Sequence, residues 1–317
     1  MPTEEFKKLL DRDFARVSAR DFVEKVSPLL TELVNHASWA FQRCQTANSG
    51  RENEDVAPFV LYRHVIEMVD GLQVLISESC AVAAVPLLRA TFEANLGLEY
   101  IVTGGPHYAT RSLSWLYAYV DRQISAYAKL DPATPEGAGF KKTWDEASLG
   151  KYNPPTNLID EDRKHATVLR SVLDQKEFAA IKAEFAARMS GKGRRKPEWY
   201  SLFGGPGNVQ QLAKSLAQGH IYEILYRRWS SVIHAGDLSA YMDKTSGGVP
   251  AFKGVRYPEY LRDVAAHAAN FILHATHLMV QRFRAGEDLR NWYLREIREL
   301  YLWLCVKDAQ DFVAEPV

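Results

Sequence analysis

Cysteine is scarce in this chain. Its 317 residues include three, Cys44, Cys80 and Cys305. The number is odd and the spacing fits neither a zinc site nor a disulfide framework, which points to a reducing compartment. Net charge is also missing: 39 basic residues face 39 acidic ones. No global field therefore draws the chain to nucleic acid or to a membrane surface, and any such contact must come from a local patch. Long uncharged runs are absent too. The most apolar stretch, residues 80–102, contains Arg89, Glu93 and Glu99, so a transmembrane helix is not expected. The opening Met1-Pro2-Thr3-Glu4-Glu5-Phe6-Lys7-Lys8 is too charged for a secretory signal. Strand-length alternating runs with hairpin turns are lacking, as are internal repeats. Together these absences predict a soluble, cytoplasmic protein without a membrane partner.

What remains is helical periodicity and an apolar content of 47%, enough for a sizeable core. Residues 3–17 and 20–47 read as amphipathic helices, followed by a polar loop at 48–57. Residues 58–79 and 81–103 read as two long helices, the second apolar almost all round and hence central. Thr103-Gly104-Gly105-Pro106 stops it. A Tyr- and Trp-rich helix follows at 107–130. Residues 131–156 read as loop with one helical turn near Thr143. Asn157–Met189 has the spacing of a long, partly exposed helix or hairpin. Later helices are expected at 219–235, 258–284 and 287–311, with loops at 190–207 and 243–256. The class is all-α, an irregular multi-helix bundle without significant sheet. One domain is expected over 1–317, with residues 1–50 as an N-terminal helical extension and 58–311 as the core bundle.

Within the central helix, Arg89 and Glu93 lie about 40° apart on one face. Val82, Val85, Leu96 and Tyr100 share that face, so the pair interrupts an apolar stripe. Buried ions are costly unless paired and hydrogen-bonded, so the pair reads as a structural lock or as a site. On the preceding helix, Arg63, Glu67 and Asp70 line one face. They form either a wet surface or, beside Arg89 and Glu93, one interhelical charge network that binds a ligand.

Tyr226, Ser230 and His234 repeat at i, i+4 and i+8 and share a face, with Glu223 nearby. A phenol, a hydroxyl and an imidazole on one line can move protons or bind phosphate. They can equally be a packed, hydrogen-bonded helix end. The spacing Arg228-x5-His234 resembles the short motif of the higher-eukaryote-and-prokaryote nucleotide-binding (HEPN) superfamily. That resemblance implies a metal-independent endoribonuclease of toxin or phage-defence type, acting on RNA across a homodimer through its Arg and His. Where that family commonly has a polar residue after the Arg, this chain has Trp229. A broader pattern runs through Arg63-x3-Glu67, Leu88-Arg89-x3-Glu93, Trp199 with its glycine turn, and Tyr226-x3-Ser230-x3-His234. It resembles a widespread bacterial helical family catalogued only as a domain of unknown function. The resemblance implies one shared pocket for Arg89, Glu93, Tyr226, Ser230 and His234, and no substrate.

Two further clusters stand out. His267, Asn270, His274, His277 and Gln281 occupy one stripe about 80° wide. Three imidazoles on a stripe can bind zinc, nickel or iron, although their tips diverge and hydrogen-bonded or solvated histidines also fit. The loop Lys192, Arg194, Arg195 and Lys196 concentrates cations that can meet phosphates, with Trp199 and Tyr200 as stacking groups, or simply be solvated. Gly204-Gly205-Pro206-Gly207 precedes a helix but lacks the Gly-Lys-Ser/Thr ending of a nucleotide loop.

The residues thus lead to three expectations. One is cleavage of RNA or a nucleotide phosphate, with His234, Arg228, Ser230 and Tyr226 as the catalytic set. The second is binding of a small anion or partner by Arg89, Glu93, Arg63 and Glu67 without chemistry. The third is a polar network that only fixes helix register. No cofactor is expected.

Overall fold

The computed structural model describes residues 9–48, 52–147, 150–190, 196–227, 229, 241–244 and 250–306. The architecture is all-α, as the periodicity predicts. The chain falls into two compact units. The first comprises Met1–Arg51, Pro58–Thr103 and Val209–Val317, and the second Glu52–Ala57 and Gly104–Asn208.

In the first unit, α1 (Arg12–Ser18) and α2 (Arg20–Ala47) lead to α3 (Asn53–Ser77) and α4 (Ala81–Val102). After α9 (Val209–Ser215) comes α10 (Gly219–Ile221), which runs into a π turn at Tyr222–Arg227. The long α11 (Leu261–Phe283) packs on both α2 and α4. Its inner face is rich in alanine, with Ala265, Ala268, Ala269 and Ala275 all buried. Small side chains let the neighbouring helices approach closely. From α4, Leu88, Phe92, Leu96 and Ile101 fill the space, each at 2% exposure or less. Each such side chain contributes about 1.5–3 kcal/mol by leaving water.

Two polar devices fix this packing. The buried Tyr62 hydroxyl of α3 donates to the Ala37 carbonyl of α2 at 3.0 Å and meets Thr276 Oγ1 of α11 at 2.9 Å. Arg262, at the start of α11, donates to the carbonyls of Trp303 and Leu304 at 2.8 and 3.1 Å. A cation on the last carbonyls of a helix suits the helix dipole. It anchors α12, which combines Arg290–Trp292, a π turn at Tyr293–Ile297 and Arg298–Cys305.

The expected loop at 243–256 holds a short antiparallel ladder, β1 (Met242–Lys244) with β2 (Pro250–Phe252), in the register Asp243↔Ala251. Three-residue strands are too short to carry the alternation by which a strand is read from sequence.

The second unit is built on α5 (Tyr108–Leu130), which packs against α6 (Pro135–Glu146), α7 (Thr156–Leu173) and α8 (Ala179–Met189). The segment before α3's core joins it: Tyr108 donates its hydroxyl proton to Asp55 at 2.6 Å. Helix α6 corrects the loop expected at 131–156. Its start is well specified: Thr134 Oγ1 accepts from Gly137 N at 3.0 Å and Pro135 occupies the first helical position. Asp131 braces the turn, accepting 2.7 and 3.1 Å bonds from Arg163 and a 3.0 Å bond from Ala133 N. The 157–189 stretch is a hairpin of α7 and α8.

Candidate functional site

Helix α4 carries Arg89 on the side where α10 and its π turn arrive. The Arg89 Nε–H donates to Glu93 Oε1 at 3.0 Å, and its Nη2 donates to the Tyr226 hydroxyl. The guanidinium carbon also lies 3.9 Å from the centre of the Tyr226 ring. Tyr226 in turn stacks on Tyr222, at 4.7 Å and 16° between planes. The π turn winds these tyrosines into place. Such insertions, with one extra residue in the turn, recur at functional positions.

Arg89 and Glu93 are not the buried pair that their helical wheel predicts. Their side chains are 28% and 43% exposed. The apolar neighbours Val85, Leu96 and Tyr100 are buried as expected. The two long polar side chains instead carry their charged ends outward past that apolar surface. The result is a half-exposed, laterally braced guanidinium. Burial, and next the Glu93 charge, push the Tyr226 phenol up, and the Arg89 charge opposes them. Tyr226 therefore stays a neutral phenol at physiological pH, a hydrogen-bonding group and not a phenolate.

The structure thus brings together Arg89, Glu93 and Tyr226 from the predicted pocket. Arg228, Ser230 and His234 lie outside the described residues. Trp229, which stands where HEPN motifs commonly have a polar residue, is buried and meets His267 edge to face at 6.1 Å. It serves as a core anchor. Glu223 accepts from Gln210 at 2.9 Å. Arg63 and Glu67 are both exposed. Among the described residues neither makes an ion pair, and no charge network joins them to Arg89 and Glu93.

The imidazole stripe on α11 separates into different environments. His267 is packed between Trp229 and Phe271, and burial pushes its pKa down against the nearby Asp263 charge. His274 Nε2 lies 3.1 Å from Glu99 Oε2, close enough for an ion pair but outside hydrogen-bond geometry. His277 is exposed. Among the described residues no group of three metal-binding side chains converges, so the expected metal alternative at His267, His274 and His277 has no geometric basis there.

Of the basic loop in the second unit, Lys192, Arg194 and Arg195 lie outside the described residues. Lys196 forms an ion pair with Asp121, which offsets its charge. Trp199 and Tyr200 are buried at 9% and 7% exposure and face each other edge to face. They belong to the core and offer no stacking platform, contrary to the expectation from sequence. None of the described helices is long and apolar enough to cross a membrane.

Fold and site together define an all-helical protein with an arginine–tyrosine cluster on its first unit. The chain matches the model of the family of unknown function DUF5677 over residues 55–249, more than half of its length, and belongs to that family. No curated protein and no solved structure matched it.

Proposed function

We propose that the first unit recognises a phosphate-bearing ligand, RNA or a nucleotide, through Arg89. One observation carries this reading: the Arg89 guanidinium is fixed by Glu93, by the Tyr226 hydroxyl and by the Tyr226 ring, yet remains partly exposed. A guanidinium has five N–H donors. Two groups are satisfied here, and the described residues leave the Nη1 edge for a ligand. A planar fork held in place loses little entropy on binding and matches phosphate oxygens in pairs.

A second reading adds chemistry and rests on Tyr226. It occupies the first position of the Tyr226-x3-Ser230-x3-His234 line and touches Arg89. In that reading His234 is the general base or acid, Arg89 or Arg228 stabilises the charge building on phosphorus, and Glu93 orients Arg89. The protein is then a metal-independent ribonuclease of the toxin or defence type, working as a homodimer in the cytoplasm. Free cysteines at Cys44, Cys80 and Cys305 suit that setting.

The experiment is titration of a fluorescent single-stranded RNA with the wild type and with Arg89→Ala and His234→Ala variants. Loss of binding in Arg89→Ala alone supports recognition. Retained binding without cleavage in His234→Ala supports catalysis. Equal binding by wild type and Arg89→Ala would remove the basis of both readings.

A further inference from the structure

We infer that the cavity between α11 and α12 is a second ligand site, one suited to a nucleoside monophosphate. Its volume is about 990 Å³, at the upper end of the range of roughly 300–1,000 Å³ typical of small-molecule sites. It lies wholly within the first unit. One wall is the polar stripe of α11, to which Asn270, His274, His277 and Gln281 contribute. The facing wall is aromatic, with Trp292, Tyr293 and Tyr301 from α12. Arg284 and Arg290 complete the lining among the cations.

The charges decide which ligand fits. Glu287 also lines the cavity, but its carboxylate is occupied. It accepts from Arg43 at 2.7 and 3.0 Å and from Arg284 at 3.0 Å. Burial raises its pKa, and those two arginines together outweigh the burial and hold it below the usual carboxylate range. Asp288 accepts from the neutral donors Arg290 N at 2.7 Å and Asn291 Nδ2 at 3.2 Å, which fix its carboxylate but leave its charge. The Arg290 guanidinium makes no ion pair among the described residues, and neither does His277. With Arg43 counted beside Arg284 and Arg290, three guanidiniums face the two carboxylates Glu287 and Asp288, and this excess of positive charge favours an anion.

The aromatic wall is rigid. Trp292 stacks on His36 at 3.6 Å and donates its indole N–H to Glu32 at 2.9 Å. Tyr301 donates its hydroxyl proton to Asn270. A π turn covers Tyr293–Ile297 and bears Tyr293, an irregularity often found at sites. A fixed aromatic surface opposite carboxamides suits a flat heterocycle, whose face can stack on Tyr293 and whose edge can bond with Gln281. Arg290 and His277 would take the phosphate. Leu273, Val280, Ala285 and Leu289 add apolar surface to the lining, which the face of a heterocycle can also cover.

This site is distinct from the Arg89 cluster. Glu99 touches the cavity residue His274. It is ten residues beyond Arg89 on α4, about 15 Å along the helix axis.

Calorimetric titration of the full chain with AMP, GMP, CMP and UMP, beside inorganic phosphate and ribose, tests the inference. At least one nucleotide should bind in the micromolar to millimolar range. Arg290→Ala should weaken it about tenfold or more, as loss of one charge-assisted contact does. Gln281→Leu should alter the preference among bases, and the binding that Arg290→Ala removes should persist in an Arg89→Ala background, which removes only nucleotide held at Arg89. Arg290 and Gln281 are both exposed, so neither substitution threatens the fold. The inference is overturned if no nucleotide binds at millimolar concentration, or if inorganic phosphate binds as tightly as the nucleotides. Loss of all nucleotide binding in Arg89→Ala would also overturn it, because the ligand would then sit at the first site alone.

Discussion

Arg89 lies over the Tyr226 ring, its guanidinium carbon 3.9 Å from the ring centre, and also donates to the phenol oxygen of the same residue. The ring and the hydroxyl of one residue thus both hold the guanidinium. Tyr226→Phe keeps the stack and loses only the hydrogen bond. Tyr226→Leu loses both. Ligand affinity should fall slightly in the first variant and as far as in Arg89→Ala in the second. Folding stability should change by no more than about 1 kcal/mol in Arg89→Ala, since half-exposed pairs and cation–π contacts contribute at that level. Binding isotherms beside thermal melts check this. A full loss of affinity in Tyr226→Phe would show that the phenol itself contacts ligand.

The cleavage reading makes a kinetic prediction. His234→Ala should abolish RNA cleavage by a factor of about 10²–10⁴, the usual contribution of a general base or acid. The thermal midpoint should move little, and RNA affinity should persist. Gel-based cleavage assays with and without a chelator check it. Cleavage that vanishes with chelation of metal ions would contradict the metal-independent chemistry.

Much of this fold was legible because long helices repeat their apolar pattern over many turns. The limits of α4, Ala81–Val102, fall within one residue of those read from sequence. Only the family resemblance implies that Arg89 and Tyr226, on two separate segments, share a pocket; neither segment by itself carries a signal of their contact. A helical wheel predicts burial at Arg89 and Glu93 because it places Cβ atoms and not the ends of long side chains. Helix α6 is hidden in the sequence because Asp131, Pro132 and Pro135 read as a terminator. The signal of a start was present in Thr134-Pro135-Glu136, an N-cap followed by proline and an acidic residue. The role of Arg262 had no local signal, since its partners Trp303 and Leu304 lie some forty residues away. The α11 stripe was visible as polar, but only the cavity beside it gives Asn270, His274, His277 and Gln281 a common surface.

Tyr62 should be a stability determinant of the first unit. Its hydroxyl joins α2 and α11 from within the core. Tyr62→Phe keeps the ring and removes those bonds. The expected loss is about 1–3 kcal/mol, the range for a buried hydrogen bond whose partners are left behind. Chemical denaturation checks it. A companion Thr276→Val substitution should cost less in the Tyr62→Phe background than in the wild type, because the two hydroxyls share one network.

Acid should weaken the second unit through Asp131. Hydrogen bonds from Arg163, and next from Ala133 N, hold its carboxyl below the usual carboxylate range against a smaller opposing effect of burial. A depressed folded pKa favours the folded state above the unfolded pKa, near pH 4. That contribution is lost as pH falls through the folded pKa. Wild type and Asp131→Asn should therefore differ most in thermal midpoint at neutral pH, and converge below about pH 4. A difference that grows on acidification would contradict the ion pair with Arg163.

Gly137 should resist every substitution. A Cβ built there would stand 1.8 Å from the Asp131 carbonyl oxygen and 2.5 Å from its carbon. Those atoms are backbone and cannot rotate away. The same carbonyl accepts from Thr134 N at 3.0 Å and from Thr134 Oγ1 at 3.0 Å, so moving it would break the turn that starts α6. Gly137→Ala should cost at least the 1–3 kcal/mol typical of overpacking, even though alanine is the better helix former by about 1 kcal/mol. The damage should stay near α6. Hydrogen exchange of the Pro135–Glu146 amides should accelerate, while those of α4 and α11 keep their protection. Gly139, whose Cβ would meet nothing within 4 Å, is the internal control. Gly139→Ala should stabilise α6 by up to about 1 kcal/mol, so the two neighbouring substitutions should act in opposite directions.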